Sequence, residues 1–246
     1  MNVAPRKMLV ILQSNYIPWK GYFDLLAAAD EFFIFDEVQF TRRDWRNRNK
    51  LIVAGQPRWL TIPVQTKGRY DAPIDEIEVM GSRWAREHWQ TISLNYRRAP
   101  FFEEIAPRLE AAYHNAENLT LLTEINELFL KELALILGIR TPLVRDRSVP
   151  RTTNDPTARL VEICVSRGAT DYLSGPAAKS YIDRAQFDAA RIRLHYANYT
   201  GYPVYDQGSP AFEHGVSMID TLMQCGTAAR GHLKSIREDS SLLQPE

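Results

Sequence analysis

The chain has 246 residues, 45% of them apolar and 24% charged, the usage of an ordinary soluble protein and not of a disordered or fibrous one. Lys+Arg and Asp+Glu are both 30, which removes the basic footprint of a nucleic-acid binder, and the length allows a core that needs no disulfide or metal staple. The cations are 23 Arg to 7 Lys. Arginine suits forked contact with carboxylate or phosphate, so anionic ligands stay in view. Cys164 and Cys225 lie far apart with no ligand cluster beside either, so no metal site and no pairing follow from spacing. The apolar stretch from Leu119 to Ile139 is broken by Glu124, Asn126, Glu127, Lys131 and Glu132, which excludes a membrane span. The apolar run near the start is too short for a signal-peptide core. The expectation is a cytoplasmic, reduced protein of one domain over 1–246, with 82–138 as a helical subdomain at most and 238–246 a frayed tail.

Met8 to Leu12 is a continuous apolar run ending at Gln13-Ser14-Asn15, which reads as a buried strand. Tyr22 to Ala29 reads as a helix and Glu31 to Phe35 as a second strand, the length of a βαβ unit. Leu51 to Val53 and Trp59 to Val64 flank Gly55-Gln56-Pro57 and read as a hairpin. Helical patterns run from Ser82 to Tyr96, Pro100 to Tyr113 and Leu119 to Leu137, then a short strand from Thr141 to Val144. Pro156 to Arg167 carries helix punctuation: Asn154 or Asp155 before it and Gly168 after it. Asp171 to Leu173 and Arg191 to Tyr196 read as strands, with a helix from Ala177 to Ile182 between them and another from Met218 to Gln224. The fold class is therefore α/β: a mostly parallel, Rossmann-like sheet with flanking helices, a β-hairpin insertion and a central helical segment.

Four segments carry candidate chemistry. Gln13, Asn15, Tyr16 and Trp19 follow the first strand, where open α/β sheets bind ligands; the alternative is a loop whose amides satisfy backbone while Trp19 plugs the core. Asp36, Glu37 and Gln39 end the second strand, where a carboxylate can act as acid or base or salt-bridge a nearby arginine. The run 42–50, with Arg46, Asn47 and Asn49 around Trp45, either clamps a phosphate or sugar nucleotide or is an exposed basic loop. Ser174, Gly175 and Pro176 with Lys179 form a strand-to-helix turn able to attract an anion, although Pro176 removes one donor. Cys225 ends its helix at the negative pole, which disfavours a thiolate, and Ser217 with Asp220 reads as a capping box. His88, between Trp84 and Trp89, reads as packing or a surface hydrogen bond. No Walker A, G-x-G-x-x-G, G-x-S-x-G or H-E-x-x-H pattern occurs.

In order along the chain, 13–19 with Gly21-Tyr22-Phe23-Asp24, 36–40, 45–49, 59–64, 172–175, Tyr205 with Gln207, 217–220 and Cys225-Gly226 resemble the WbqC-like family. Two positions depart from the family pattern: Leu12-Gln13-Ser14-Asn15 stands where it usually has His-Gln-Pro-Asn, and Asp36-Glu37 where it has paired aspartates. The resemblance implies a bacterial protein of surface-polysaccharide (O-antigen) or other specialised biosynthesis, a context and not a reaction; no cofactor follows from it. The leading expectation is a transferase moving an acyl, aminoacyl or glycosyl group onto an amino-sugar or similar acceptor. In it Gln13, Asn15, Asp36, Gln39, Arg46, Asn47 and Asn49 line one cleft, Asp36 is base or orienter, and Arg46 holds an anionic or sugar-containing small-molecule donor. A second expectation is thiol chemistry at Cys225, with His88 or His214 as base, on a substrate bound to a carrier protein. A third is non-catalytic binding of a sugar nucleotide or partner. A looser fourth is nucleotidyltransferase-like architecture, whose histidine pair is absent here.

Overall fold

Alternation along the first strand decides how the chain is layered. Met8 and Val10 face one buried cluster while Leu9 and Ile11 face another, so both faces of the strand are covered, as a parallel sheet requires. The computed structural model describes residues 5–69, 71–236 and 242–243. The strands among them are β1 (Met8–Leu12), β2 (Glu31–Ile34), β3 (Arg48–Val53), β4 (Gln56–Thr61), β5 (Leu143–Val144), β6 (Asp171–Ser174) and β7 (Arg193–Tyr196). Five of them form one parallel sheet in the order β5-β2-β1-β6-β7. The strand order reverses between β1 and β6, the switch point of a doubly wound sheet. The α/β expectation with a mostly parallel sheet is what the structure has.

Helix α1 (Lys20–Ala28) returns from the end of β1 to the start of β2. It begins without a side-chain cap at Trp19, whose ring folds over Gly21: a Cβ there would lie 2.3 Å from the indole, so only glycine fits. β3 and β4 form the separate hairpin, paired from Arg48↔Thr61 to Val53↔Gln56. Its turn is Ala54-Gly55, with φ of 50° and 72°, one residue earlier than the Gly-Gln-Pro signal indicates. Positive φ at both positions matches the two-residue turn that suits strand twist.

Helices α2 (Arg83–Tyr96), α3 (Phe102–Ala116) and α4 (Leu122–Ile136) share one buried cluster with α1, the hairpin residues Leu51 and Leu60, and α7 (Met218–Cys225). The other face is covered by α5 (Pro156–Ser166) and α6 (Arg184–Ala189) through Leu160, Ile163 and Phe187. Asp155 caps α5 by accepting the Ala158 N–H at 2.6 Å. The helix expected from Ala177 to Ile182 is instead a 3₁₀ turn over Pro176–Ser180, followed by α6. Of the tail expected to fray, Leu242 is buried and Leu243 bridges Ala197; the remainder lies outside the described residues. No helix among the described residues is long and apolar enough to cross a membrane.

Candidate functional site

The switch point opens a cavity of about 240 Å³ between the carboxyl ends of β1 and β6. Leu12, Gln13, Phe35 and Val38 form one wall; Arg159, Tyr172, Ser174 and Tyr181 form the other, and Asn154, Asp155 and Pro156 bring the start of α5 to its rim. It is a little below the 300 Å³ or so at which drug-sized sites begin, so one ring or short chain fills it. Arg159 is held by Glu37 in a two-pronged pair at 2.7 and 3.0 Å, so Glu37 serves the wall.

Beside this cavity the β1–α1 loop is fixed from several directions. Arg46 donates through Nη1 to Asn15 Oδ1 and through Nη2 to Gln13 Oε1. Its closest carboxylate, Asp44, is 3.7 Å away, and its Nε is buried with no hydrogen-bond partner among the described residues. Burial lowers the guanidinium pKa, against the pull of Asp44. A desolvated cation answered mainly by neutral amide oxygens retains attraction for an anion. With their carbonyls committed to Arg46, the Gln13 and Asn15 amides have N–H groups left as donors.

Asp36 lies behind this loop and is buried. Its Oδ1 accepts the Ser14 N–H at 2.7 Å and its Oδ2 accepts the Thr123 hydroxyl at 2.6 Å. Burial raises its pKa, partly countered by Ser14, Thr123 and Arg46. Asn126 completes the clamp, donating to Ser14 Oγ and to the Arg46 carbonyl, both at 2.9 Å. Asn49 donates to the carbonyls of Tyr16 and Ile17 at 3.1 and 2.9 Å. Ile17 has φ of 37°, a strained conformation for a β-branched residue, of the kind that clusters at functional sites.

The structure thus divides the residues expected around one cleft. Gln13, Asn15 and Arg46 come together; Asp36, Asn49 and Asn47, which donates to the Ile62 carbonyl at 2.8 Å, are buried behind them. Gln39 is on the surface, donating to Asp71 at 3.1 Å. Ser174 lines the cavity, Gly175 follows it with a Cβ position 3.5 Å from the Tyr199 hydroxyl, and Lys179 lies 5.2 Å from the Tyr196 ring. Tyr16 points away from the cavity: its hydroxyl lies 2.9 Å from His88 Nδ1 and 2.7 Å from the Tyr113 hydroxyl. Burial pushes the His88 pKa down to about 4, leaving a neutral ring packed on Trp84.

Trp19, Gln207 and Cys225 belong to another neighbourhood. Trp19 meets the edges of Tyr199 and Tyr202 at centroid distances of 5.0 and 5.8 Å. Gln207 donates to Asp220 Oδ2 at 2.9 Å, and the hydroxyls of Tyr205 and Tyr96 each donate to Asp220 at 2.6 Å. Ser217 does cap α7 through the Ile219 N–H at 3.2 Å, but its own N–H goes to the Lys50 carbonyl. The reciprocal half of the capping box is therefore absent and Asp220 is free for these other donors. Burial and Asp220 push the Cys225 thiol up, and its electrostatic neighbours, Asp220 and Lys20, are not those of His88. Sequence reasoning missed Thr123, Asn126, Lys20 and Asp220; only the S-x-x-D spacing at Ser217 marked any of them. No group of three His, Cys, Asp or Glu side chains suited to a metal occurs among the described residues.

No solved structure matches the chain significantly. An uncharacterized protein, Rv1507c of Mycobacterium tuberculosis (strain ATCC 25618 / H37Rv), is 41% identical over 232 residues, covering 94% of this chain and 100% of that protein. The sequence model of the WbqC-like protein family matches residues 13–232, a span that includes the β1 loop, the Arg46 segment and Asp220. The chain belongs to the WbqC-like protein family.

Proposed function

We propose that the protein is a group transferase of bacterial surface-polysaccharide or specialised-metabolite biosynthesis, moving an acyl, aminoacyl or glycosyl group from an anionic donor to an amino-sugar or similar acceptor. One observation carries this reading: Arg46 is largely desolvated at the carboxyl end of β1 and is answered mainly by the amide oxygens of Gln13 and Asn15. In this reading the donor's phosphate or carboxylate gives Arg46 a closer counter-charge than Asp44, which stands 3.7 Å away. The remaining amide N–H groups of Gln13 and Asn15 orient polar atoms, and the acceptor occupies the cavity toward Ser174 and Tyr181. Asp36 is the orienter, holding Ser14 and through it the loop.

The test is a thermal-shift panel of nucleotides, sugar nucleotides, acyl-CoAs and aminoacyl donors. A donor at about a hundred times its Kd contributes roughly 2.7 kcal/mol. The expected result is a shift with one donor class that is lost in Arg46→Ala while the unliganded variant stays folded. A shift of equal size in Arg46→Ala removes Arg46 from donor binding. Asp36 favours a second reading, non-catalytic recognition of the same ligand, because both its oxygens are engaged by the fold. That reading is selected if the donor binds yet no product forms with any acceptor amine.

A further inference from the structure

Lys20 is the first residue of α1 and is 2% exposed. Its Nζ lies 5.0, 5.3 and 5.8 Å from the ring centroids of Phe212, Tyr202 and Tyr205. No hydrogen bond or ion pair joins that nitrogen to another described residue; its interactions with Asp220, Asp24, Cys225 and Glu213 act through space. The nearby acids are already answered. Asp220 accepts from Tyr96, Tyr205 and Gln207, Asp24 from Tyr202 at 2.5 Å and from the Ser235 N–H and hydroxyl at 2.8 and 2.7 Å. Glu213 pairs with Lys50 at 3.0 Å.

Burial lowers the Lys20 pKa to about 8 against the pull of Asp220 and Asp24. The positive pole of α1 acts in the same direction, so a large share of the amine is neutral and nucleophilic at mildly basic pH. The surroundings are wrong for an anion, since the rings present electron-rich faces and the neighbouring charges include three carboxylates. The three covering rings all come from the irregular chain between β7 and α7, 197–217, a length at which a structureless connection is either functional or a linker, and the burial of Tyr202 and Gln207 packs this one onto the fold.

We propose that Lys20 is a covalent binding residue for a small neutral aldehyde or ketone, which its Nζ holds as an imine beneath the 197–217 segment. The amine lone pair attacks the carbonyl carbon and a C–N bond forms. The carbonyl oxygen collects the two protons that the nitrogen gives up and leaves as water, so the C–O bond breaks and the C=N bond replaces it. No oxidant or reductant is consumed. This inference does not rest on the Arg46 reading, and either can fail without the other.

The experiment treats the full chain with dihydroxyacetone and sodium cyanoborohydride, which reduces an imine to a stable secondary amine, and maps adducts over the seven lysines by peptide mass spectrometry. The expected result is modification of Lys20 at least fivefold faster than of exposed Lys67, rising with pH through a midpoint near 8. Lys20→Arg, which keeps a cation among the rings, is expected to abolish the fast adduct and leave the thermal midpoint unchanged. Should that variant misfold, the wild-type map decides alone. A Lys20 that is unmodified in the folded chain but reacts in urea overturns the proposal, as does a rate no faster than that of Lys67.

Discussion

The two edges of the parallel sheet differ in how fully they answer their charges. At the amino edge, Glu31 takes Lys7 at 3.0 Å and Arg167 at 2.6 Å. Asp171 takes both prongs of Arg193 at 3.0 and 2.7 Å, His195 at 2.7 Å and Arg6 at 3.4 Å. Each buried carboxylate there meets opposite charge. At the carboxyl edge Glu37 and Arg159 also pair, but the other buried charges have largely neutral partners: amides for Arg46, aromatic rings for Lys20, hydroxyls and backbone for Asp36 and Asp220. Saturated pairs hold strands together, whereas charges left partly unanswered in a desolvated place are where a ligand gains most. The difference separates scaffold from site without recourse to any catalytic motif.

The largest effect is expected at Asp36. Asp36→Ala leaves the Ser14 N–H and the Thr123 hydroxyl without their buried acceptor, at about 1–3 kcal/mol each, so a fall of roughly 3 kcal/mol in urea-unfolding stability is expected. A loss under 1 kcal/mol would mean that the loop does not depend on this clamp. Asp171 gives the next effect, and it depends on pH. Arg193, Thr170 and His195 hold its carboxyl down to about 2 against the cost of burial, while an unfolded aspartate titrates near 3.9. Its stabilisation, on the order of 2 kcal/mol, is therefore full above about pH 4 and is lost as pH falls from there through about 2. Acid unfolding of Asp171→Asn is expected to lack this part of the slope. Burial moves Asp36 the other way, so its contribution declines as pH rises from the unfolded value through its higher folded pKa. The smallest effect is expected at Asn49→Ala, which frees two carbonyls for about 1 to 2 kcal/mol. Donor affinity should fall with it, because Ile17 is no longer held in its strained conformation; unchanged affinity would show that the strain has no part in binding.

The sheet was legible because its first strands are apolar runs ending in polar residues, Gln13-Ser14-Asn15 after Leu12 and Asp36-Glu37 after Phe35, and such runs report burial on both faces. α6 was not, because its six residues bury only Phe187, too little for a period to show. Gln13, Asn15 and Arg46 could be picked out as polar groups beside a strand end. That Asn47 and Asn49 serve backbone and not a ligand depends on Ile62, Tyr16 and Ile17, which only the folded chain brings close. Asp36 acquired its partner Thr123 from 87 residues away, beyond any local pattern. Lys20 gave no signal, since a lysine opening a helix normally faces water; the rings that bury it come from the far end of the chain.

The placement of these partners also orders the making of the molecule. Gln13, Asn15, Asp36, Arg46, Thr123 and Asn126 all precede β5, whereas Arg159, Tyr172, Ser174 and Tyr181 follow it. During synthesis from the amino end, the ribosome joins every member of the Arg46 clamp into the chain before it adds the facing wall. A chain ending near residue 140 contains every residue of the clamp and none of the facing wall, and fragments of that length, released from the ribosome, are the place to learn whether the two halves of the crevice mature together or in turn.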